Sequence, residues 1–409
     1  MLQKIILSQK NEIELALSQK YVEREAKING LDNNLVKVVV GPRRAGKSFF
    51  TLHALSKAGS FGYANFDHEE LSLARDYDAI VRGIDMAYGK PEFLFFDEIQ
   101  NLPRWELFVN RLQRQGRKVI VSGSNSNLLS TELSTHLTGR HLQTAIFPFS
   151  FSESLKFFGA SGSEGSAWEY IKKGGYPEIY SQGVEPRQYL STLFDAVLFK
   201  DVVRRHNVRA PQSMESLAHF LLSNPSCEAN PSSLARETGI KSPLTVEKYM
   251  SHLSESFLFF SIGRHSHKAS ERIASSRKIY CIDTGFIAAK GVTPSPNYGK
   301  LYENAAACAL FRRQFEGACR IFYWKSAQGH EVDFIIREGH KVSALVQVCY
   351  DLSGKTKDRE VRALLRASRE LSCKKLIVVT HDYEATEDAS WFGIRGKIRF
   401  VPLWKWLAE

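Results

Sequence analysis

Gly41-Pro-Arg-Arg-Ala-Gly-Lys-Ser48 follows directly on the apolar run Val38-Val-Val40. Spaced glycines closed by a lysine and a hydroxyl are what a phosphate-binding loop requires. Gly41 and Gly46 let the backbone bend into a nest of inward-pointing N–H groups, with Pro42, Arg43, Arg44 and Ala45 completing the loop. Lys47 then reaches the outer phosphates and Ser48 ligates Mg2+. Phe49 opens a helix running to about Ala58, whose positive dipole end faces the anion. The ligand such a loop takes is a nucleoside triphosphate, ATP, with Mg2+.

A second constellation stands about fifty residues on. Phe93-Leu-Phe-Phe-Asp-Glu98 is an apolar run ending in two carboxylates, as a buried parallel strand does at its carboxyl edge. Asp97 can hold the magnesium through water and Glu98 can polarise the attacking water. The plainer alternative is a buried strand ended by solvated acids. A later strand ends in Ser122-Gly-Ser-Asn-Ser126, where Asn125 or Ser124 can orient the lytic water or touch the γ-phosphate; a helix cap explains the same residues. A helix from Leu128 to about Leu137 then leads to Thr138-Gly-Arg140. In ring-forming ATPases an arginine here points into the neighbouring subunit's nucleotide and stabilises charge on the transferred phosphoryl group. A solvated surface arginine is the alternative. The finger role requires a homo-oligomer, of which a hexameric ring is one form.

The elements that must position these residues alternate strand and helix, as in an α/β doubly wound parallel sheet. After an opening helix, roughly Ile5 to Ala26, strands are expected at Val36–Val40, Phe61–Phe66, Phe93–Phe96, Lys118–Ser122 and His141–Ile146. The 409 residues exceed one ordinary core and imply two or three domains. The net charge of +11 favours a polyanion such as nucleic acid, although an acidic membrane surface or plain solubility would also account for it. Six scattered cysteines, with no C-x-x-C pair, read as reduced core residues of a cytoplasmic protein. No apolar stretch approaches a membrane span, and the N-terminus is not a signal peptide.

The order of these motifs, followed by Phe147-Pro-Phe-Ser-Phe-Ser-Glu153, Gly174-Gly-Tyr-Pro177 and Phe199-Lys-Asp-Val202, resembles a family of prokaryotic AAA-type ATPases. These carry a carboxy-terminal domain of unknown function. The resemblance implies an AAA-like core, a winged-helix segment and a degenerate, restriction-nuclease-like fold. The domains expected are 1–150 (ATPase with its N-terminal helix), 151–209 (helical lid, including an amphipathic stretch Gln188–His206), 210–268 (winged helix) and 269–409 (nuclease-like).

In the third segment, Ser232–Gly239, a turn and Leu244–Ser256 read as a helix-turn-helix with a wing strand at Phe257–Ile262. Lys241, Ser242, Thr245 and Lys248 lie at the amino end of its second helix, where DNA contact is made, and Arg264 can touch phosphates from the wing. A protein-packing role is the alternative. In the last segment, a strand Arg277–Asp283 and a helix containing Glu303 precede a hairpin that offers Asp333 on its first strand. Restriction-type nucleases complete such a metal site with a polar-x-lysine triplet. Here the triplet is Gln347-Val-Cys349, so Glu303 and Asp333 read as relics and phosphodiester cleavage is not expected. The leading function is an ATP-dependent, oligomeric DNA motor or remodeller. The alternatives are a nucleotide-controlled switch that binds a protein, and an ATP-gated nuclease.

Overall fold

The computed structural model describes residues 2–125, 139–266, 268, 275–292 and 297–409. They fall into two compact units, one of residues 1–148 with 255–257, the other of residues 149–254 and 258–409.

The first unit is built on strands β1 (Val36–Val40), β2 (Phe61–Asn65), β3 (Phe93–Asp97), β4 (Lys118–Gly123) and β5 (His141–Ala145). They form one parallel sheet in the order β2-β3-β4-β1-β5. β1 and β3 are buried along their whole length, which is why they are largely apolar on both faces; the exceptions are Lys37, whose Nζ turns back to the carbonyls of Asn33 and Leu35, and Asp97 at the end of β3. Phe50, Leu52 and Leu55 of the helix Lys47–Ala58 pack with Val39, Phe95 and Ile120 of the sheet. At roughly 1.5–3 kcal/mol for each such side chain buried, this core holds the loop between β1 and that helix in place.

The opening helix is shorter than its pattern suggested, covering Leu2–Leu17. The residues after it run without regular structure to β1, bringing Tyr21 onto the His53 ring with centroids 4.0 Å apart. Arg24 follows in the same irregular stretch. The expected helix Leu128–Leu137 lies outside the described residues.

In the second unit, the helices Phe151–Phe158, Glu164–Lys173 and Pro177–Ser181 come first. The stretch expected as one helix, Gln188–His206, is divided into an α-helix Pro186–Ala196 and a π-helical segment Val197–Arg204. Gly174-Gly-Tyr-Pro177 has a steric explanation here. A Cβ on Gly174 would lie 2.0 Å from Asp283 Oδ1, and one on Gly175 would lie 2.2 Å from the Phe149 carbonyl oxygen. Asp283 is buried and accepts hydrogen bonds from the N–H groups of Gly175 and Gly285, both at 2.8 Å. Asp283→Ala strands both donors and should cost about 2–4 kcal/mol, read as a lowered urea midpoint with an unchanged slope.

Next come the helix Pro211–Ser223, β6 (Cys227–Ala229), the helices Pro231–Thr238 and Pro243–Glu255, β7 (Phe259–Gly263) and β8 (Arg277–Cys281). The strands make an antiparallel sheet ordered β6-β8-β7. The Arg277 strand, expected from sequence ahead of the hairpin, pairs with β6 and β7 and not with the strands of the last sheet. Ile279 to Cys281 are buried, with Tyr280 and Cys281 paired to Phe260 and Phe259 of β7.

The last sheet contains β9 (Arg320–Lys325), β10 (Glu331–Glu338), β11 (Lys341–Cys349), β12 (Leu376–Thr380), β13 (Ala385–Trp391) and β14 (Ile394–Pro402). Its order is β13-β14-β12-β11-β10-β9, with β9, β10 and β11 antiparallel and β11, β12 and β14 parallel. The helix Gly354–Leu371 makes the crossover from β11 to β12 and buries Ala363, Leu364, Leu365 and Ala367 in the core below. All six cysteines are free thiols, five of them buried. Among the described residues no helix is long and apolar enough to cross a membrane.

Candidate functional site

The sheet order puts the ends of β1, β3 and β4 side by side, and the residues picked from sequence gather there. Gly41 has φ 145°, and a Cβ at this position would stand 1.9 Å from the Ile146 carbonyl oxygen. No other residue fits. Arg44 and Gly46 follow in left-handed backbone, with φ of 65° and 89°, which turns the chain into the helix starting at Lys47. Lys47 is buried, and its Nζ donates to the Pro42 carbonyl at 3.0 Å, so the ammonium is folded over the loop.

Asp97 is almost wholly buried beside Ser48. Tyr63 donates its hydroxyl to Oδ2 at 2.9 Å and Ser122 donates to Oδ1, with the Ser48 side chain also favouring the charged carboxylate. Burial and then the neighbouring Glu98 charge push the Asp97 carboxyl above its usual range, with these hydrogen bonds acting in the opposite direction. A buried acid supported only by neutral hydroxyls suits a cation, so the donor set of Ser48 and Asp97 fits Mg2+.

Glu98 takes the left-handed conformation, φ 49°, which turns its side chain off the strand immediately after the buried aspartate. Its N–H reaches Ser122 Oγ at 3.4 Å, and the Gln100 amide donates to its carboxylate. Such backbone costs a non-glycine residue about 1–3 kcal/mol and persists where its surroundings enforce it. Asp97 lies level with Ser122 because Phe96 pairs with Val121, and Asn125 follows three residues later at the same edge.

Arg140 is placed differently. Its carbonyl accepts from Val36 N–H at 3.0 Å, so it stands where β1 and β5 begin. The loop lies at the far end of β1, a five-residue strand spanning roughly 16 Å. An arginine side chain cannot cross that distance. Its exposed guanidinium instead approaches Asn110 Oδ1 at 3.5 Å.

Some site residues were not visible in sequence. Arg24 is buried and donates to the carbonyls of Ala45, at 3.0 Å, and Phe147. Charged hydrogen bonds of this kind are worth about 1.5–3 kcal/mol each and hold the loop from beneath. Tyr63 and Ser122 support Asp97 as described. Of Ser122 and Ser124, both buried, it is Ser122 whose hydroxyl reaches Asp97.

Of the residues expected to meet DNA, Lys241 and Lys248 are exposed, and Ser242 and Thr245 are half-buried around the start of the helix Pro243–Glu255. Arg264 donates to the Lys325 carbonyl, so part of its guanidinium is spent inside the fold.

Residues 33–155 match the AAA domain family, residues 165–295 a domain of unknown function (DUF8612) and residues 298–405 another (DUF4143). An uncharacterized protein of Methanocaldococcus jannaschii is 32% identical over 416 aligned positions, covering 96% of this chain and 92% of that one. The chain belongs to that protein's family, as an AAA-type ATPase. An uncharacterized protein of Haemophilus influenzae is similar to this AAA-type ATPase at 27% identity, covering 91% of the chain and 96% of the relative. Among solved structures, a Walker-type ATPase of Pyrococcus abyssi aligns over 68% of this chain and 95% of its own, at 12% identity and a TM-score of 0.44.

Proposed function

We propose that this AAA-type ATPase is an oligomeric, Mg2+-dependent motor or remodeller that hydrolyses ATP while bound to DNA. The observation that carries the hydrolytic part is the convergence of Lys47, Ser48, Asp97 and Glu98 at one edge of the sheet. Bound Mg2+, held by Ser48 and through water by Asp97, would neutralise charge on the phosphates. Backbone N–H groups of residues 41–48 and the Lys47 ammonium bind the phosphate oxygens. Glu98 orients and deprotonates the attacking water, and Asn125 positions it against the γ-phosphorus. Arg140 stands too far from its own loop to serve it, which supports a role in a neighbouring copy's site and therefore a closed oligomer such as a hexamer.

The DNA part rests on the +11 charge and on Lys241 and Lys248, exposed on a helix-turn-helix with the element order of a winged helix. The inward hydrogen bond of Arg264 favours the second reading, a nucleotide switch that docks a protein on this segment. One measurement tests the loop and a second separates the readings. Lys47→Ala should abolish binding of a fluorescent ATP analogue, and retained binding would refute the loop assignment. DNA should raise ATP turnover of the parent protein, with a stimulation that falls steeply between 50 and 200 mM salt as counterions cease to drive association. Turnover indifferent to DNA leaves the protein-docking switch.

A further inference from the structure

The restriction-nuclease-like arrangement expected in the last domain calls for Mg2+ between Glu303 and Asp333. The acids are indeed brought together, but another side chain stands between them. Lys278 of β8 is 2% exposed at its side chain and directs its Nζ to Glu303 Oε1 at 2.9 Å, to Asp333 Oδ1 at 2.8 Å and to Glu331. We propose that Lys278 is a built-in counter-cation, whose ammonium takes the place of a divalent ion and leaves this acid site complete without metal.

The hydrogen-bond inventory carries the argument. Two N–H donors of the ammonium go to Glu303 and Asp333, and the Glu331 carboxylate stands against it as a third ion-pair partner. The other oxygens of the pair are engaged as well. Glu303 Oε1 accepts from Tyr280 at 3.0 Å and Oε2 from Lys300 Nζ at 2.9 Å, while Asp333 Oδ2 accepts from Val348 N–H at 2.9 Å. Gln347, the remaining candidate ligand, turns its Oε1 to the Asp333 N–H at 3.1 Å. Mg2+ needs near-octahedral oxygen ligands, and here each carboxylate oxygen of the pair already has a protein donor. A lysine that positions water for hydrolysis must aim its ammonium at that water, whereas Lys278 holds its ammonium against three carboxylates. Burial alone would lower its pKa, but the charges of Asp333, Glu303 and Glu331 outweigh that and hold it well above the usual lysine value. The residues therefore fit an internal cation and not a metal.

The test uses the full chain without nucleotide and Mn2+ as the probe, followed by electron paramagnetic resonance and thermal melting. The parent protein should show no Mn2+ uptake that depends on Asp333, and EDTA should leave its Tm unchanged. Lys278→Ala should take up Mn2+ and gain about 5–10 °C in Tm at a hundredfold excess over its dissociation constant, both effects vanishing when Asp333→Asn is added. Lys278→Ala with Glu331→Gln keeps the experiment decisive if three unpaired acids prevent folding of the single variant. Two results would overturn the proposal. One is Asp333-dependent Mn2+ binding, or Mn2+-dependent nicking of supercoiled DNA, by the parent protein. The other is a folded Lys278 variant that takes up no Mn2+.

Discussion

Arg140→Ala should retain ATP affinity and lose about 10³–10⁵ in turnover. The expectation follows from position. Val36 and Arg140 meet at the start of β1, and the phosphate loop is at its other end, so the guanidinium has no path to the nucleotide of its own chain. If it acts, it acts on a second copy. Mixing provides the decisive form of the experiment. Arg140→Ala subunits keep an intact loop but offer no arginine, and Lys47→Ala subunits offer the arginine but bind no nucleotide. Combined, the two inactive preparations should recover measurable turnover, because one interface type pairs a sound loop with a sound arginine. Mixtures as inactive as their components, measured under conditions where the copies associate, would reduce Arg140 to the surface residue that its partner Asn110 also allows.

Glu98→Gln should bind ATP as tightly as the parent and turn it over about 10²–10⁴ times more slowly, a loss of roughly 3–5 kcal/mol of transition-state stabilisation. Glutamine has nearly the same shape, so the left-handed turn after Asp97 and the contact with Gln100 can persist while the basic oxygen is lost. Asp97 has a different role and a different signature. It is buried among Tyr63, Ser48 and Ser122, so Asp97→Asn should change the concentration of Mg2+ required more than it changes the fate of the water. Equal turnover by Glu98→Gln and the parent would remove Glu98 from the chemistry and leave the strand end as a structural feature.

The first sheet was readable because fully buried parallel strands have a distinctive composition. Val38–Val40 and Phe93–Phe96 are apolar on both faces, and the breaks around them are glycine, proline or charge. The loop was equally readable, since its backbone path permits only glycine at Gly41. The supports beneath it were not. Arg24 looks like one more charge in a polar stretch, and nothing local says that it turns inward to two carbonyls. Tyr63 sits on the neighbouring strand with no motif around it. The helix that continues on paper to Ala26 stops at Leu17 because tertiary partners of Tyr21 and Arg24 outweigh local preference. In the second unit, Glu303 and Asp333 were found by spacing, but Lys278 was not. It arrives from a strand in a different sheet, and pairing between distant strands leaves no periodic trace in the chain.

Arg24 and Tyr21 have a practical consequence for anyone shortening this protein. A version trimmed to begin at Val36 would keep every signature by which the nucleotide site is recognised, and would still have lost the buckle that fastens its phosphate cradle. Such a version should bind ATP weakly despite an intact motif.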